Sequence, residues 1–205
     1  MSLLNRLNLM IAESAPEDGI NRYSLSGILV SPTETIATEG HLVIRMTTIP
    51  ADAKAVNSNF ETAGVVNGAF EPFVLDRASA LDALSLLPNS EWQERPKYAG
   101  IAFEDSKPVV VVESESGPLR LIKTDSIASE KFPKVDLVQP KTEPIATVRL
   151  NVTLLKEILD VAEAMWPERQ NRGVVFKIHG PDTAVEIEAD NSDQQMKALL
   201  MPMRL

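Results

Sequence analysis

Two histidines, His41 and His179, are the only imidazoles in the chain, and there is no cysteine. Thiolate nucleophiles, disulfides and cysteine metal sites are thereby excluded, and any metal would have to rest on carboxylates. His41 has two acidic candidates for an acid–base pair, Glu39 close by and Asp136 further along. Neither pairing comes with the rest of a catalytic centre. No second histidine lies near in sequence, no serine sits in a G-x-S-x-G setting, and neither a P-loop nor a G-x-G-x-x-G run occurs. Glu186, Glu188, Asp190 and Asp193 could suggest a hard-cation site. Glu186 and Glu188 alternate with Val185 and Ile187, so they read as the wet face of a strand instead. Asn151-Val152-Thr153 matches a glycosylation sequon, but it falls at a helix cap and implies nothing here. No catalytic residue, metal or cofactor is expected, and the chain reads as a non-enzyme.

The balance of charge narrows the partners. With 20 basic against 29 acidic residues the net charge is −9, which disfavours a simple basic nucleic-acid binder and leaves only a local basic face. At 205 residues, 44% of them hydrophobic, the chain is long enough to bury a core of its own. Its longest apolar runs, Val109–Val112 and Ala198–Met201, fall far short of the ~20 residues of a bilayer span. The opening MSLLNRLNLMIAESAP is interrupted by Asn5, Arg6 and Asn8, so it does not read as a targeting peptide. Leu3, Leu4, Leu7, Met10 and Ile11 fall instead at helical spacing, which predicts an amphipathic helix over 2–14. A cytoplasmic protein is expected.

The elements follow a recurring order. After the first helix come β-type segments at Tyr23–Ser31, Thr33–Thr38 and His41–Thr48, then a polar loop over Pro50–Gly68. A strand at Ala69–Leu75 leads through Asp76, a good N-cap, into a helix over 77–87 stopped by Pro88. Strands follow at Lys97–Glu104, Val109–Glu113 and Leu119–Thr124, with turn residues at Asp105-Ser106-Lys107-Pro108 and Ser116-Gly117-Pro118. A third round starts at Ala146–Leu150, where Asn151 caps a helix over 152–166. It closes with strands at Gly173–His179, Thr183–Ala189 and Met196–Met203. Alternation there, with Val174, Phe176 and Ile178 against Val175, Lys177 and His179, predicts antiparallel strands with one face buried. FVLDRASALDALSLL and VRLNVTLLKEILDVA share a leucine, an Asp or Asn cap and a leucine-rich helix. The chain is thus helix then strands, three times, an α+β repeat architecture.

Three short motifs in this frame resemble the bacterial DNA polymerase III β subunit, the sliding clamp family. They are Ala37-Thr38-Glu39-Gly40-His41, then Phe132-Pro133 with Val138 and Pro140 downstream, and the terminal Met201-Pro202-Met203-Arg204-Leu205. The resemblance runs from Tyr23 to Leu205 and implies a DNA-clamp fold in one and a half domains. Residues 1–143 resemble the family's middle domain, and 144–205 resemble the second half of its last domain. Clamps are rings of six such domains, or twelve helix-plus-sheet halves. A chain of three halves would therefore need four copies, which implies a closed head-to-tail homotetramer.

The resemblance also implies function. Duplex DNA would pass through the ring, held by non-specific phosphate contacts from Arg6, Arg77 and Lys156 on the helices and from Arg169 and Arg172 beyond the third. Polymerases and clamp-loader-type proteins would dock short hydrophobic motifs into a groove. Gly40, His41 and Leu42 form one wall, Pro133 and Val138 lie near the floor, and Leu199, Met201, Pro202, Met203, Arg204 and Leu205 make the other side. Flexible methionines suit a surface that must accept several ligands. Leu42 stands where the family has a basic residue, and Lys134-Val135-Asp136-Leu137 replaces its Asp-Tyr-Arg-Arg, which implies altered groove specificity. A second reading is a clamp-derived interaction protein that binds clamp-motif peptides, or another clamp, without encircling DNA.

Overall fold

The computed structural model describes residues 2–16, 26–50, 60, 63–66, 68–87, 98–113, 119–123, 127–129, 132–165, 173–191 and 194–204. Its internal contacts divide the chain into Met1–Gln139 and Pro140–Leu205, four residues before the boundary expected at 143.

The first unit opens with a strand, β1 (Ser2–Asn5), before α1 (Arg6–Met10) and a 3₁₀ turn over Ile11–Ser14. The helix expected over 2–14 is therefore shorter by its first four residues. Leu3 and Leu4 are adjacent and both fully buried, which a strand achieves by sending them to opposite covered faces. Asn5 ends the strand and caps the helix. Its side chain accepts from the Asn8 backbone amide at 3.1 Å, while the Asn8 side chain accepts from the Asn5 amide at 3.0 Å.

Strands β2 (Gly27–Val30), β3 (Glu34–Thr38), β4 (Val43–Thr47) and β5 (Ile49–Pro50) follow. The third strand expected in this half begins two residues late because Glu39–Leu42 forms the turn, with Gly40 at φ +104° in the left-handed region. Most of the loop expected over 50–68 lies outside the described residues, although Phe60 and Val65 are buried there. The second half repeats the order: β6 (Phe73–Asp76), α2 (Arg77–Leu86), β7 (Tyr98–Glu104), β8 (Lys107–Glu113), β9 (Leu119–Lys123) and β10 (Ile127–Ala128). Asp105 and Ser106, at φ 49° and 65°, make the two-residue turn between β7 and β8.

The two halves are joined by exchanged strands. One sheet runs β5–β1–β7–β8–β9 and the other β10–β6–β2–β3–β4, so the strand that leads into each helix sits in the other half's sheet. The registers match: Leu4 pairs with Ala99 and Asn5 with Tyr98, while Leu75 pairs with Ile28 and Asp76 with Gly27. Gly27 is required by that closeness, because a Cβ there would stand 2.3 Å from the Leu75 carbonyl oxygen. Between the sheets a single core mixes both halves, with Leu4, Leu9, Ile28 and Val30 against Leu75, Ala83, Leu84 and Ile101.

The second unit holds one half only. Asn151 accepts from the backbone amides of Thr153 and Leu154, starting α3 (Val152–Ala164). The sheet is β11 (Val175–Lys177), β12 (Val185–Asp190) and β13 (Gln195–Leu200), in that order. In place of the strand expected at 146–150 there is a single bridge, Arg149 to Met203. The expected alternation is seen on β12, where Val185, Ile187 and Ala189 are buried, but it fails on β11. Val175, Phe176 and Lys177 are all exposed there, since β11 is an edge with nothing described over its inner face.

Candidate functional site

Gly40, His41 and Leu42 form the tip of the β3–β4 hairpin, all exposed. The turn is held by the Thr38 hydroxyl, which accepts from the Gly40 amide at 3.2 Å. The segment bearing Pro133 and Val138 lies across the outer face of the same sheet, where Phe132 and Val135 pack on Ile36 and Val74. That packing leaves a depression of about 430 Å³ floored by Leu29 and Ile36 and lined by Pro133 and Leu137. Val138 and Leu137 are both 72% exposed beside it.

The rim is electrostatically locked. Arg45 donates from Nη2 to Glu34 at 2.6 Å and from Nη1 to Asp136 at 2.7 Å, tying β4 to the 3₁₀ turn Val135–Leu137. Hydrogen bonding to Glu34 first, and to Asp136 second, pushes the Arg45 guanidinium above its ordinary value. The Asp136 carboxylate is thus engaged by Arg45. Leu29, Glu34, Ile36 and Arg45 were not among the expected site residues. Phe132-Pro133 was the one signal that pointed to their neighbourhood.

In the second unit, Leu199, Met201 and Met203 are exposed, with Pro202 partly buried between the methionines. Met203 is fixed by donating its backbone amide to the Arg149 carbonyl at 2.7 Å, and Arg149 Nη1 reaches the Arg204 carbonyl at 3.4 Å. Leu205 lies outside the described residues. Leu199 projects from the same face as Glu186 and Lys197. There Lys197 donates to Glu186 at 2.7 Å and Lys177 approaches Glu188 at 2.6 Å. Hydrogen bonding from Lys197, then with Glu188, holds the Glu186 carboxyl down at about 2. Of the four carboxylates that could have suggested a cation site, Glu186 and Glu188 are thus balanced by lysines, while Asp193 lies outside the described residues.

Of the five basic residues expected on DNA, three lie among the described residues. Arg6 points its Nη1 at the carbonyls of Leu84 and Leu87, 3.4 and 3.5 Å away, at the C-terminal end of α2. Its charge complements that helix end and joins the two halves of the unit. Arg77 opens α2 with its amide on the Ser26 carbonyl and its Nε buried. Lys156 is exposed and paired with Asp160 one turn on, at 2.6 Å. Arg169 and Arg172 lie outside the described residues. Among the described residues, no helix is long and apolar enough to cross a membrane.

No protein-family model matches the chain, and no curated protein does. Solved structures do. The β subunit of the Streptococcus pyogenes DNA polymerase superposes with a TM-score of 0.63 at 16% identity, over 98% of this chain and 50% of that one. The Pseudomonas aeruginosa sliding clamp gives 0.61 at 16% identity, with the same coverage. The C. crescentus β sliding clamp gives 0.62 at 13% identity, again over 98% and 50%. The chain spans about half the length of the clamps it matches. Exchanged strands, paired halves and these superpositions together show that the chain has the fold of the bacterial DNA polymerase III β sliding clamp over about half of that fold.

Proposed function

We propose that the protein is a small sliding clamp, a non-enzymatic ring of four copies that encloses duplex DNA and tethers a polymerase or similar partner. Tethering raises the partner's effective concentration at the template without reading sequence. The observation that carries the reading is the exposed apolar row Leu199, Met201 and Met203 at the end of a clamp-fold half. Exposed leucine and methionine at such a strand end suit the capture of leucine and phenylalanine anchors from short peptides. Gly40, His41, Leu42, Pro133 and Val138 on the first unit are proposed, from the resemblance, as peptide-contacting residues too, with Leu137 and the depression beside it. Residues 1–143 correspond in this reading to the clamp's middle domain and 144–205 to half of its last.

The second reading, an interaction protein that never closes on DNA, is favoured by the engagement of Arg6 with helix carbonyls and of Lys156 with Asp160. One experiment separates the two. A ring is retained on nicked circular plasmid and lost when the circle is cut, whereas equal retention on both forms rejects encirclement. The groove is tested apart from DNA. Met201→Ala/Met203→Ala should weaken binding of a labelled peptide with leucine and phenylalanine anchors by at least tenfold, and unchanged anisotropy titrations would reject it.

A further inference from the structure

The three halves are in strict correspondence from cap to strand. Asn5 to Gly27, Asp76 to Tyr98 and Asn151 to Gly173 are each 22 residues apart. Each lead-in segment also pairs along one edge with the tail of its own half, Leu3 with Ile49, Val74 with Ile127 and Arg149 with Met203. In the first unit the other edge of each lead-in strand pairs with the first sheet strand of the opposite half. In the second unit both of those edges are open among the described residues: Val148–Asn151 bridges only to Met203, and β11 pairs only with β12.

The burial differs in the same way. Phe176 corresponds to Val30 and Ile101, which are 0% and 1% exposed, yet it is 41% exposed. Leu155, Ile158 and Leu159 on α3 correspond to Ala80, Ala83 and Leu84 on α2; the latter are buried against the opposite half, the former only partly. The first helical residue is arginine in both halves of the first unit. In the third half it is Val152, 77% exposed. Gly173, the counterpart of Gly27, has open space where Gly27 meets the Leu75 carbonyl.

We propose that the second unit is completed by the same unit of a second copy, the two exchanging their lead-in strands across a two-fold axis. The occupant is another copy because the vacant place has the shape of a half, and this chain carries an unpaired one. The register follows from the first unit: Asn151 opposite Gly173, Leu150 opposite Val174, Arg149 opposite Val175 and Val148 opposite Phe176 of the other copy. Antiparallel helices then set Val152 over the partner copy's Leu159 and Ala162, the counterparts of the Leu84 and Leu87 that Arg6 reaches. Two-fold exchange closes both open edges at once. The junction rests on the fold and not on DNA encirclement.

The chain has no cysteine, which makes the register testable by disulfides. Within one copy, Arg149 bridges Met203 beyond the end of β13, whereas Val175 lies on β11 at the far edge of the sheet, so no strand pairing within the copy sets the two opposite each other. Oxidised Arg149→Cys/Val175→Cys should therefore run as a covalent dimer on a non-reducing gel. The register-slipped Arg149→Cys/Val174→Cys, with side chains on opposite faces, should stay monomeric. Light scattering of the unmodified chain should give at least twice 22.5 kDa. Phe176→Asp should raise the dissociation constant at least 100-fold while the first unit keeps its thermal transition. A 22.5 kDa particle at tens of micromolar, whether the face stays bare or another part of the chain covers it, overturns the junction. So does an oligomer without the specific disulfide, and that result leaves the ring reading standing. A disulfide dimer that ignores circular DNA keeps the junction and rejects the ring.

Discussion

Asn8 shows how a single polar residue can organise a half. It is fully buried on α1, and its Nδ2 donates to the Thr35 hydroxyl at 3.2 Å and to the carbonyls of Met46 and Thr47 at 3.3 and 3.0 Å. Buried amides are tolerated only when satisfied, so this one fixes α1 against β3 and β4 together. From sequence alone Asn8 reads merely as an interruption of an apolar run, because its partners arrive from strands about thirty or forty residues away. At Glu186 the chemistry predicts a pH effect. The carboxyl is held at about 2 in the folded chain against an ordinary 4.5, chiefly by Lys197. Its contribution to stability is thus complete above 4.5 and is lost as pH falls from there to about 2. Urea midpoints of the second unit should differ between the native chain and Glu186→Gln at pH 7 and converge near pH 2. A constant difference across that range would reject the Lys197–Glu186 link.

Among the elements, the lead-in strands carry the most structure for their length. Ser2-Leu3-Leu4-Asn5, Phe73-Val74-Leu75-Asp76 and Val148-Arg149-Leu150-Asn151 each place a leucine before a cap. The second is readable as strand-then-helix from its cap and leucine spacing, and the third reads the same way but forms only the bridge Arg149 to Met203 before its helix. The first is not, since two leucines followed by more at helical spacing fit a longer helix equally well. Only pairing with β7 and β5 decides for a strand. Because β6 approaches β2 so closely, Gly27→Ala should be destabilising out of proportion to one methyl. A Cβ at 2.3 Å from the Leu75 carbonyl must push the exchanged strand away, a loss of about 3 kcal/mol by the scale of overpacked sites. The same change at Gly173, where space is open, should alter the isolated chain by less than ~1 kcal/mol. Chemical denaturation of the two variants at low protein concentration makes the comparison, and equal effects would contradict the assigned strand exchange.

For the whole molecule, two units with separate cores predict two unfolding transitions. The first unit closes a core between two sheets, whereas the second rests on Val185, Ile187 and Leu200 with partly buried neighbours. A half-covered core stabilises less, so the second unit should melt first in calorimetry. Its transition should also rise with protein concentration while the first unit's stays fixed, as mass action requires of a self-associating part. A single concentration-independent transition would contradict both the division and the self-association.

The repeat of helix then strands, the caps at Asp76 and Asn151 and the wet face of Glu186 and Glu188 were all determined by sequence. Each depends on neighbours within a few residues, so local pattern suffices. Tertiary structure alone decided that lead-in strands cross between halves, that Arg6 serves a helix end rather than a free surface, and that Asp136 belongs to Arg45. Those outcomes join residues 43 to 97 positions apart, and no periodicity specifies which distant edge or carbonyl a side chain will meet. The same reason explains Phe176. Its alternation marks it for burial, and whether it is buried depends on what covers the face of β11.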